Sequence, residues 1–573
     1  MPTTYQPPIT PVADSLWLSA VIASLPLLSI FLTLGLLRWK AHWAGLTGLA
    51  IALIVAVAAF KMPVSLALLS GTEGAAYGLV PIMWIVFSAI VLYQITVVAG
   101  RFEDLRAAFH LVSDDPRVQA IIIAFCFGAL LEALAGFGAP VAITGVMLVA
   151  VGFSPLRAAA VALLANTAPV AFGAIGIPII TAGNLTHIDY NIVGAYVGHQ
   201  TPVLALVVPL MLVFLVDGRR GVRQTWPIAL VVGAVFAVTQ WASATYISVE
   251  LTDVIASLAG LASAVIMLRF WRPQGRDEAN ETLAEARQLE YASAGGGSGD
   301  VGTGVADDDI AFTSADEMDR RASALTPGRI GMALLPYLLV IAVFAAAKLI
   351  DPIKNALADT DVKISWPGLD GHVLSGTGKV SATTVYTLPW LSSPGSLLLI
   401  CSVVVALVYK VSPAQWGREF VETGVKLRFA FLTVASVLGL AYVMNLSGQT
   451  VTIGTWIAGT GAAFAFLSPI LGWLGTAVTG SDTSANALFA TLQQTAGKKA
   501  GIDPTLLVAG NSAGGVVGKM ISPQNLTIAA VAVGLVGRES DIFRKVILWS
   551  LGLLVIVCLL VGLQSTVLSG MLP

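Results

Sequence analysis

Gly136-Phe-Gly-Ala-Pro140 and Gly480-Ser-Asp-Thr-Ser-Ala-Asn486 each interrupt a long apolar run with small, polar or helix-breaking residues. Unpaired backbone groups in hydrocarbon cost several kcal/mol each, so such interruptions persist at membrane depth only where protein encloses them or where they line a cavity. One interruption lies in each half of the chain. The sequence therefore predicts broken helices from both halves that meet around a polar pocket.

The composition indicates that most of the chain lies in lipid. Of 573 residues, 56% are hydrophobic and 11% are charged, and the mean hydropathy is +0.85. A water-soluble domain has about 25% charged residues, so this chain cannot cover a large water-facing surface. A helix needs about 20 apolar residues to cross the hydrocarbon core. The apolar runs predict an all-α polytopic membrane protein with about 12 to 14 transmembrane helices plus re-entrant pieces.

An internal echo relates the two halves. Asn166 precedes Pro178 by 12 positions, and Asn511 precedes Pro523 by 12. Paired Gly/Pro-interrupted segments at corresponding positions point to a transporter site between inverted repeats. One such segment alone would favour helices that merely pack closely through small residues, but the matched pair favours the site. The predicted helix breaks are Gly136, Gly138, Pro140, Pro178, Gly480 and Pro523.

Two long polar segments divide the chain. Residues 273–328 mix Asp, Glu, Gly and Ser without hydrophobic periodicity, and we predict a disordered cytoplasmic linker there. This linker separates a first membrane half, residues 1–272, from a second membrane half, residues 329–573. Residues 351–393 are expected to form an ordered external loop that is partly β.

Lys and Arg in short loops give the orientation, because cytoplasmic loops carry an excess of them. Arg38 and Lys40 follow the first predicted span, and further basic loops lie around residues 101–117, 219–223 and 538–545. We place all of these loops in the cytoplasm. The N-terminus is then predicted to face the periplasm.

Few ionisable residues lie within the apolar stretches, and those that do are candidates for function. Glu132 directly precedes the first break, Asp482 lies inside the second, and Lys519 follows Asn511 by eight positions. Desolvation favours the protonated form of a carboxyl group, so Glu132 or Asp482 is predicted to carry a coupling proton. Lys519 is predicted to meet Asp482 or a substrate carboxylate. A purely structural Asp482–Lys519 ion pair and a packing role for Glu132 are the alternatives.

The interrupted segments suit a small organic anion. Half-helix N-termini offer free N–H groups and the positive end of a dipole to a carboxylate. An inside-negative potential opposes anion entry by about 2.3 kcal/mol per 100 mV, and one co-transported proton removes that penalty; sodium would serve equally. The predicted substrate-binding residues are Asn166, Thr167, Ser481, Thr483, Ser484, Asn511, Ser512 and Lys519.

Motifs of other chemistries fail on their context. Gly510-Asn-Ser-Ala-Gly514 matches the G-x-S-x-G elbow of hydrolases, but membrane-type sequence flanks it and no soluble α/β domain supplies partners. Cys126, Cys401 and Cys558 lie far apart in apolar runs and have no metal-ligand spacing. We therefore predict no enzyme activity, no metal or cofactor and no nucleic-acid partner. The expected surroundings are the lipid bilayer, and a homodimer is left open.

Several runs of this sequence are much longer than a short motif. They are Trp17–Pro26, Phe125–Ile143, Asn166–Pro178, Leu471–Gly475, Thr479–Phe489, Gly518–Gln524 and Ala532–Ser540. In these runs the chain resembles the bacterial L-lactate permease family, and the resemblance extends over nearly its whole length. It implies proton symport of L-lactate, with D-lactate and glycolate as further substrates, at the bacterial inner membrane. It also implies kinship with ion transporters that use paired re-entrant hairpins and an elevator-like movement.

Two rival interpretations stand beside this one. A transporter of another organic anion, or a sodium-coupled carboxylate symporter, fits the same residues. A membrane-embedded sensor that signals through residues 273–328 belongs to a different class, although no signalling domain is recognisable in the sequence. Uptake assays with lactate and other carboxylates, with and without sodium, separate these interpretations.

Overall fold

The computed structural model describes residues 4–37, 39–110, 113, 115–134, 136, 138–293, 325–374, 380–535 and 538–573. The helices up to the linker are α1 (Leu16–Ala23), α2 (Leu25–Ile30), α3 (Ala41–Ala58), α4 (Val64–Tyr77), α5 (Trp84–Val98), α6 (Arg101–His110), α7 (Pro116–Gln119), α8 (Gly128–Leu134), α9 (Ala139–Ala150), α10 (Pro155–Ala165), α11 (Ile177–Thr186), α12 (Tyr190–Val197), α13 (Thr201–Ala242), α14 (Thr252–Phe270) and α15 (Arg276–Ser293). π-Helical turns at Phe31–Leu36, Gly78–Met83, Ala120–Phe127 and Ser243–Ile247 continue α2, α4, α7 and α13, and Ala174–Gly176 is a short 3₁₀ turn.

The second half repeats this helical character. Its elements are α16 (Pro327–Leu349), α17 (Asp351–Ala358), β1 (Val362–Ser365), β2 (Val385–Leu388), α18 (Pro394–Val408), α19 (Pro413–Ser447), α20 (Gln449–Ile457), α21 (Phe464–Thr479), α22 (Asp482–Ala500), α23 (Pro504–Gly518), α24 (Pro523–Ala532) and α25 (Glu539–Gln564). Short 3₁₀ turns lie at Ala382–Thr384, Ala458–Ala463, Lys519–Ile521 and Ser569–Met571.

Within the described residues, ten helical stretches are long and apolar enough to cross a membrane. They are Leu16–Thr33, Ala41–Ala58, Val64–Val98, Pro116–Leu134, Thr201–Ile247, Thr252–Phe270, Pro327–Phe344, Pro413–Ser447, Gln449–Thr479 and Glu539–Gln564. Four shorter apolar helices accompany them, at Pro140–Val149, Pro155–Ala165, Ala174–Thr186 and Pro394–Val408. The prediction of an all-α polytopic membrane protein is confirmed.

Helices of the two halves pack against each other. The first-half helices α3 and α4 contact the long second-half helix α19. At this crossing Gly74 in α4 and Gly78 in the π-helical turn that continues it lie against the backbone of Leu438 and Val434, because small residues let membrane helices approach closely. Near the breaks, α11 packs on α22 and α9 packs on α24. The broken elements of one half are therefore held by those of the other.

The linker contains a helix, so the prediction of disorder is wrong for residues 276–293. Helix α15 buries Ala279 and Leu283, four positions apart on one face, and leaves charged residues on the others. Its Glu290 Oε1 accepts a 2.9 Å hydrogen bond from the backbone N–H of Leu156, at the start of α10. The polar composition of the whole segment suggested disorder, although residues 276–293 contain this short amphipathic pattern. Residues 294–324 of the predicted linker lie outside the described residues.

Residues 351–393 form an ordered loop with a small β-sheet. Strands β1 and β2 pair antiparallel, with Val362 opposite Leu388 and Ser365 opposite Val385. The loop is fixed to the membrane helices by Tyr386, whose hydroxyl donates a 2.8 Å hydrogen bond to the carbonyl oxygen of Val80. The side of the membrane on which it lies stays a prediction, and residues 375–379 lie outside the described part.

Candidate functional site

The second break lies where α21 ends and α22 begins. Gly480 follows α21 with φ +76°, a left-handed conformation that favours glycine. Ser481 caps α22, because its Oγ accepts a 3.3 Å hydrogen bond from the backbone N–H of Ser484. Asp482 and Thr483 occupy the first turn of α22. The break therefore carries hydroxyl groups at the positive end of a helix dipole.

The first break consists of a hairpin tip and an unwound segment. Between α8 and α9, Gly136 and Gly138 have φ of +55° and +86°. Between α10 and α11, residues 166–176 form turns rather than α-helix, and Gly173 and Gly176 have φ of +50° and +74°. Because the segment is not a regular helix, some of its backbone groups bind side chains instead; the carbonyl oxygen of Ala168 accepts a 3.2 Å hydrogen bond from Gln240 Nε2.

Three of the predicted break residues are prolines that start helices. Pro140 and Pro178 lie in the first turns of α9 and α11, and Pro523 is the first residue of α24. Proline is tolerated there because the N–H it lacks would have no intrahelical partner. The hydroxyl of Ser522 caps α24 by accepting a 3.3 Å hydrogen bond from the backbone N–H of Asn525.

An ion pair joins the two halves at the breaks. Lys519 Nζ lies 2.7 Å from Glu132 Oε1, across 387 positions of the chain. The other oxygen, Glu132 Oε2, accepts a 2.9 Å hydrogen bond from Asn166 Nδ2. Glu132 and Lys519 are only 3% and 6% exposed, so each charge depends on the other for compensation. Lys519 therefore forms its ion pair with Glu132 in the structure, whereas the sequence suggested Asp482 or a substrate carboxylate as its partner.

Asp482 is buried beside this pair without a close ion-pair partner in the described part of the chain. Its two carboxylate oxygens each lie 3.5 Å from a donor, one from Thr476 Oγ1 and one from Asn486 Nδ2. The charge of Lys519 acts on it through space. Helix α23 leaves room for this carboxylate at Gly515, since any side chain there would collide with Asp482 Oδ1.

A network of buried amides fixes the second break from behind. Asn486 Nδ2 donates to Ser512 Oγ at 2.6 Å and to the carbonyl oxygen of Pro178 at 3.2 Å. Asn511 Nδ2 donates to Asn486 Oδ1 at 2.9 Å, and Gln493 Nε2 donates to Asn511 Oδ1 at 3.3 Å. These bonds hold α22 to α23 and to α11. The structure therefore places Asn511 and Ser512 in the helix packing.

A cavity of about 1090 Å³ lies between the two breaks. Of the predicted residues, its wall includes Glu132, Gly136, Pro178, Gly480, Ser481, Asp482, Thr483, Ser484, Lys519 and Pro523. The wall does not include Asn166, Thr167, Asn511, Ser512, Gly138 or Pro140. Thr167 is buried, and its Oγ1 donates a 2.6 Å hydrogen bond to the carbonyl oxygen of Leu164, three residues earlier in the chain. Parts of both interrupted segments thus share one cavity.

The cavity is open at one end. Exposed residues there include Trp39, Lys40, Phe429, Ser540 and Phe543. Lys40 lies in the basic loop after the first span, and Ser540 lies in the first turn of α25, within the basic segment of residues 538–545. Both loops are predicted to be cytoplasmic, so the opening faces the predicted cytoplasmic side.

Two residues of the site were missed from the sequence. Asn525 Nδ2 donates to the carbonyl oxygen of Gly480 at 3.2 Å and thereby connects α24 to the break between α21 and α22. Its position two residues after Pro523, at a recognised break, was an available signal. The sequence around Gly515 carries no such signal, because the role of this glycine depends on which side chain faces it across the helix contact.

The polar groups of the cavity are of the chemical types that bind an anion and that bind a proton. Lys519 supplies a positive charge, Glu132 and Asp482 supply two carboxyl groups, and the first turn of α22 supplies hydroxyl groups. In the parts of the chain that the structure describes, no group of three or more His, Cys, Asp or Glu is arranged to hold a metal ion.

Known proteins match the chain over almost its full length. A family model described as L-lactate permease matches residues 19–568. The L-lactate permease of Bacillus subtilis (strain 168) is 41% identical and covers 98% of this chain and 99% of its own length. Glycolate permease GlcA of Escherichia coli (strain K12) is 40% identical, with 97% of each chain covered. The L-lactate permease of the same strain is also 40% identical, with 98% of each chain covered.

Solved structures resemble the chain more distantly. MtrF of Neisseria gonorrhoeae, described as one of a class of antimetabolite efflux pumps, is 15% identical with a TM-score of 0.42, over 84% of this chain and 80% of MtrF. The YdaH transporter of Alcanivorax borkumensis is 14% identical with a TM-score of 0.44, over 87% and 88% of the two chains. At these TM-scores neither structure places an element or residue of this chain.

Proposed function

The chain belongs to the L-lactate permease family, and from this premise we propose that it takes up L-lactate by proton symport across the bacterial inner membrane. D-lactate and glycolate are further proposed substrates, and a relative of similar identity is named a glycolate permease. These substrates are small 2-hydroxy-monocarboxylates, so one site with a cation and hydroxyl groups suits all three.

The 2.7 Å ion pair between Lys519 and Glu132 carries this proposal. When a substrate carboxylate binds Lys519, it takes the place of Glu132 as the partner of the ammonium group. Glu132 would then be a buried carboxylate without a cation, which is strongly unfavourable unless it binds a proton. Anion binding and proton binding are therefore coupled at one point of the cavity wall.

The charge balance of this exchange favours uptake. The empty site holds one positive and one negative charge, and the loaded site holds Lys519, the substrate anion and a neutral Glu132. Both forms are neutral at this pair, so the membrane potential, worth about 2.3 kcal/mol per charge and 100 mV, does not oppose entry of the anion. A pH gradient then drives accumulation.

The first turn of α22 is the proposed site for the substrate hydroxyl. Ser481, Thr483 and Ser484 line the cavity together with Lys519. A helix N-terminus attracts negative charge, so the carboxylate and the hydroxyl of a 2-hydroxy acid can be bound between Lys519 and this turn. The cavity far exceeds the size of lactate, so most of it serves as the path between the site and the open end.

The open end supports an inward-facing state in this proposal. Lys40 and Ser540 border it, and their loops follow the rule that cytoplasmic loops are basic. The N-terminus is then periplasmic. For outward access, the broken elements α7–α11 and α21–α24 would move together against α3, α4 and α19 in an elevator-like step. A homodimer stays a prediction.

Uptake into proteoliposomes with an imposed pH gradient tests the function. L-lactate, D-lactate, glycolate, pyruvate and succinate are each offered, with and without a sodium gradient. We expect accumulation of the three 2-hydroxy acids with the pH gradient alone. Accumulation only with sodium would favour the sodium-coupled alternative, and accumulation of succinate without lactate would favour another organic anion.

A further inference from the structure

A second buried carboxyl group lies close to the unwound segment. Asp253 is in the first turn of α14 and is 1% exposed. Its Oδ1 accepts a 2.9 Å hydrogen bond from Gln240 Nε2 on α13. Its Oδ2 is buried and has no hydrogen-bond partner among the described residues. One oxygen of this group is therefore available for a proton or a water molecule.

Gln240 connects Asp253 to the candidate site. The same Gln240 Nε2 lies 3.2 Å from the carbonyl oxygen of Ala168, in the unwound segment. Two residues earlier, Asn166 binds Glu132 through Nδ2, while its own Oδ1 has no partner among the described residues. The charge of Glu132 acts on Asp253 through space. The unwound segment thus contacts Glu132 directly through Asn166 and is linked to Asp253 through Gln240.

Polar residues also lead from Asp253 toward the surface. Glu250, three positions earlier and 2% exposed, accepts a 2.7 Å hydrogen bond from Ser248 Oγ and a 3.0 Å hydrogen bond from the hydroxyl of Tyr190. Tyr190 is half-buried and follows the exposed Asp189.

This surface is the rim predicted to be external. Near it, a ring nitrogen of His187 lies 2.8 Å from Thr383 Oγ1, in the loop of residues 351–393. The cavity opens on the opposite, predicted cytoplasmic side. Glu250 and Asp253 therefore lie between the substrate site and the periplasm.

We propose that Asp253 is a relay group that passes a proton between the external rim and Glu132, with Gln240 as its positioning residue. This inference rests on the proposed function. In the forward step the O–H bond on Asp253 breaks and an O–H bond forms on Glu132, through water held by the unwound segment. Asp253 is left ionised and takes a replacement proton from Glu250, which receives its own from the rim.

The surroundings of Asp253 suit a group that gains and loses a proton. The ionisable group that acts on it is Glu132 from α8, whose charge Lys519 compensates. Glu250 lies three positions earlier, in the turn before α14. No basic side chain forms an ion pair with Asp253 within the described ranges. A buried carboxylate without a cation is unfavourable, so Asp253 is neutral at rest and ionises only in passing.

The full-length Asp253→Asn variant in proteoliposomes tests the relay through two readouts. We expect pH-driven net uptake of lactate to fall at least tenfold, because each net cycle must renew the proton on Glu132. Lactate counterflow should stay within twofold of the wild type, since exchange moves substrate with its proton in place. Asp253→Glu should restore part of the net uptake.

Unchanged net uptake in Asp253→Asn would overturn the relay. A parallel fall of counterflow would do the same, because it would indicate a structural role. If the variant does not fold, Tyr190→Phe removes only the outermost hydroxyl and should slow net uptake several-fold without affecting counterflow; equal rates would overturn the relay. The matched control is Glu73→Gln, a wholly buried carboxyl group on α4, which should leave both readouts unchanged. Absence of any pH-driven lactate uptake in the wild type would instead contradict the proposed function.

Discussion

Glu132 is bound on both sides, by Lys519 through Oε1 and by Asn166 through Oε2. The negative charge of the Glu132 carboxylate is compensated only while the ammonium group of Lys519 remains in contact with it. A buried pair stabilises little by comparison with well-packed apolar residues, but removal of one partner leaves an uncompensated charge. At the scale of the residue, the pair is therefore better suited to exchange of partners than to stability.

Lys519→Gln should expose this dependence. The substitution leaves Glu132 buried without a cation and should lower the free energy of unfolding by about 3 kcal/mol, with loss of lactate uptake. The double variant Lys519→Gln with Glu132→Gln should regain most of that stability and none of the transport. Thermal unfolding in detergent and uptake in proteoliposomes measure the two effects. Equal stability of the single and double variants would contradict the account.

At the scale of the element, the geometry of α22 depends on its neighbour α23. Gly515→Ala adds a methyl group where Asp482 Oδ1 lies, so the first turn of α22 must shift. We expect a loss of about 1 to 3 kcal/mol in unfolding free energy and a strong loss of uptake. Gly552→Ala on α25 is the matched control, since no atom lies within 4 Å of its added carbon. Equal uptake by the two variants would argue against a role for this turn.

Helix α15 should be held by its buried face. Leu283→Ala removes a side chain that is 4% exposed, whereas Leu289→Ala changes one that is 71% exposed on the same helix. We expect faster proteolytic cleavage within residues 276–293 for the first variant only, because truncation of a buried leucine costs about 2 to 5 kcal/mol. Limited proteolysis with mass spectrometry measures it, and equal cleavage of both variants would mean that the helix is not docked.

These elements show what sequence can and cannot reveal. Gly136 and Gly480 could be recognised as breaks because each begins a cluster of small or polar residues within an apolar run, and both adopt the positive φ that favours glycine. The partner of Lys519 could not be read in this way, since Glu132 lies 387 positions away and the contact depends on how the halves pack. Asn511 is a polar residue of a type that often binds ligands. In the structure, however, its side chain is hydrogen-bonded to Asn486 and Gln493 between packed helices.

At the scale of the whole molecule, the cavity should be reached from the cytoplasm. In a chain whose three cysteines are replaced, Thr433→Cys on the cavity wall should react with a membrane-impermeant maleimide in inside-out vesicles and not in right-side-out vesicles. Asn355→Cys, on the exposed helix α17, should show the opposite pattern. Labelling of Thr433→Cys from the outside alone would reverse the proposed orientation.

The coupling of one anion to one proton at Glu132 is the central claim, and Glu132→Gln in proteoliposomes tests it most directly. The variant is compared with the wild type under the same inward pH gradient and in lactate counterflow without a gradient. We expect the wild type to accumulate lactate, whereas the variant should exchange lactate without accumulating it. Accumulation by Glu132→Gln at the wild-type level would contradict the account.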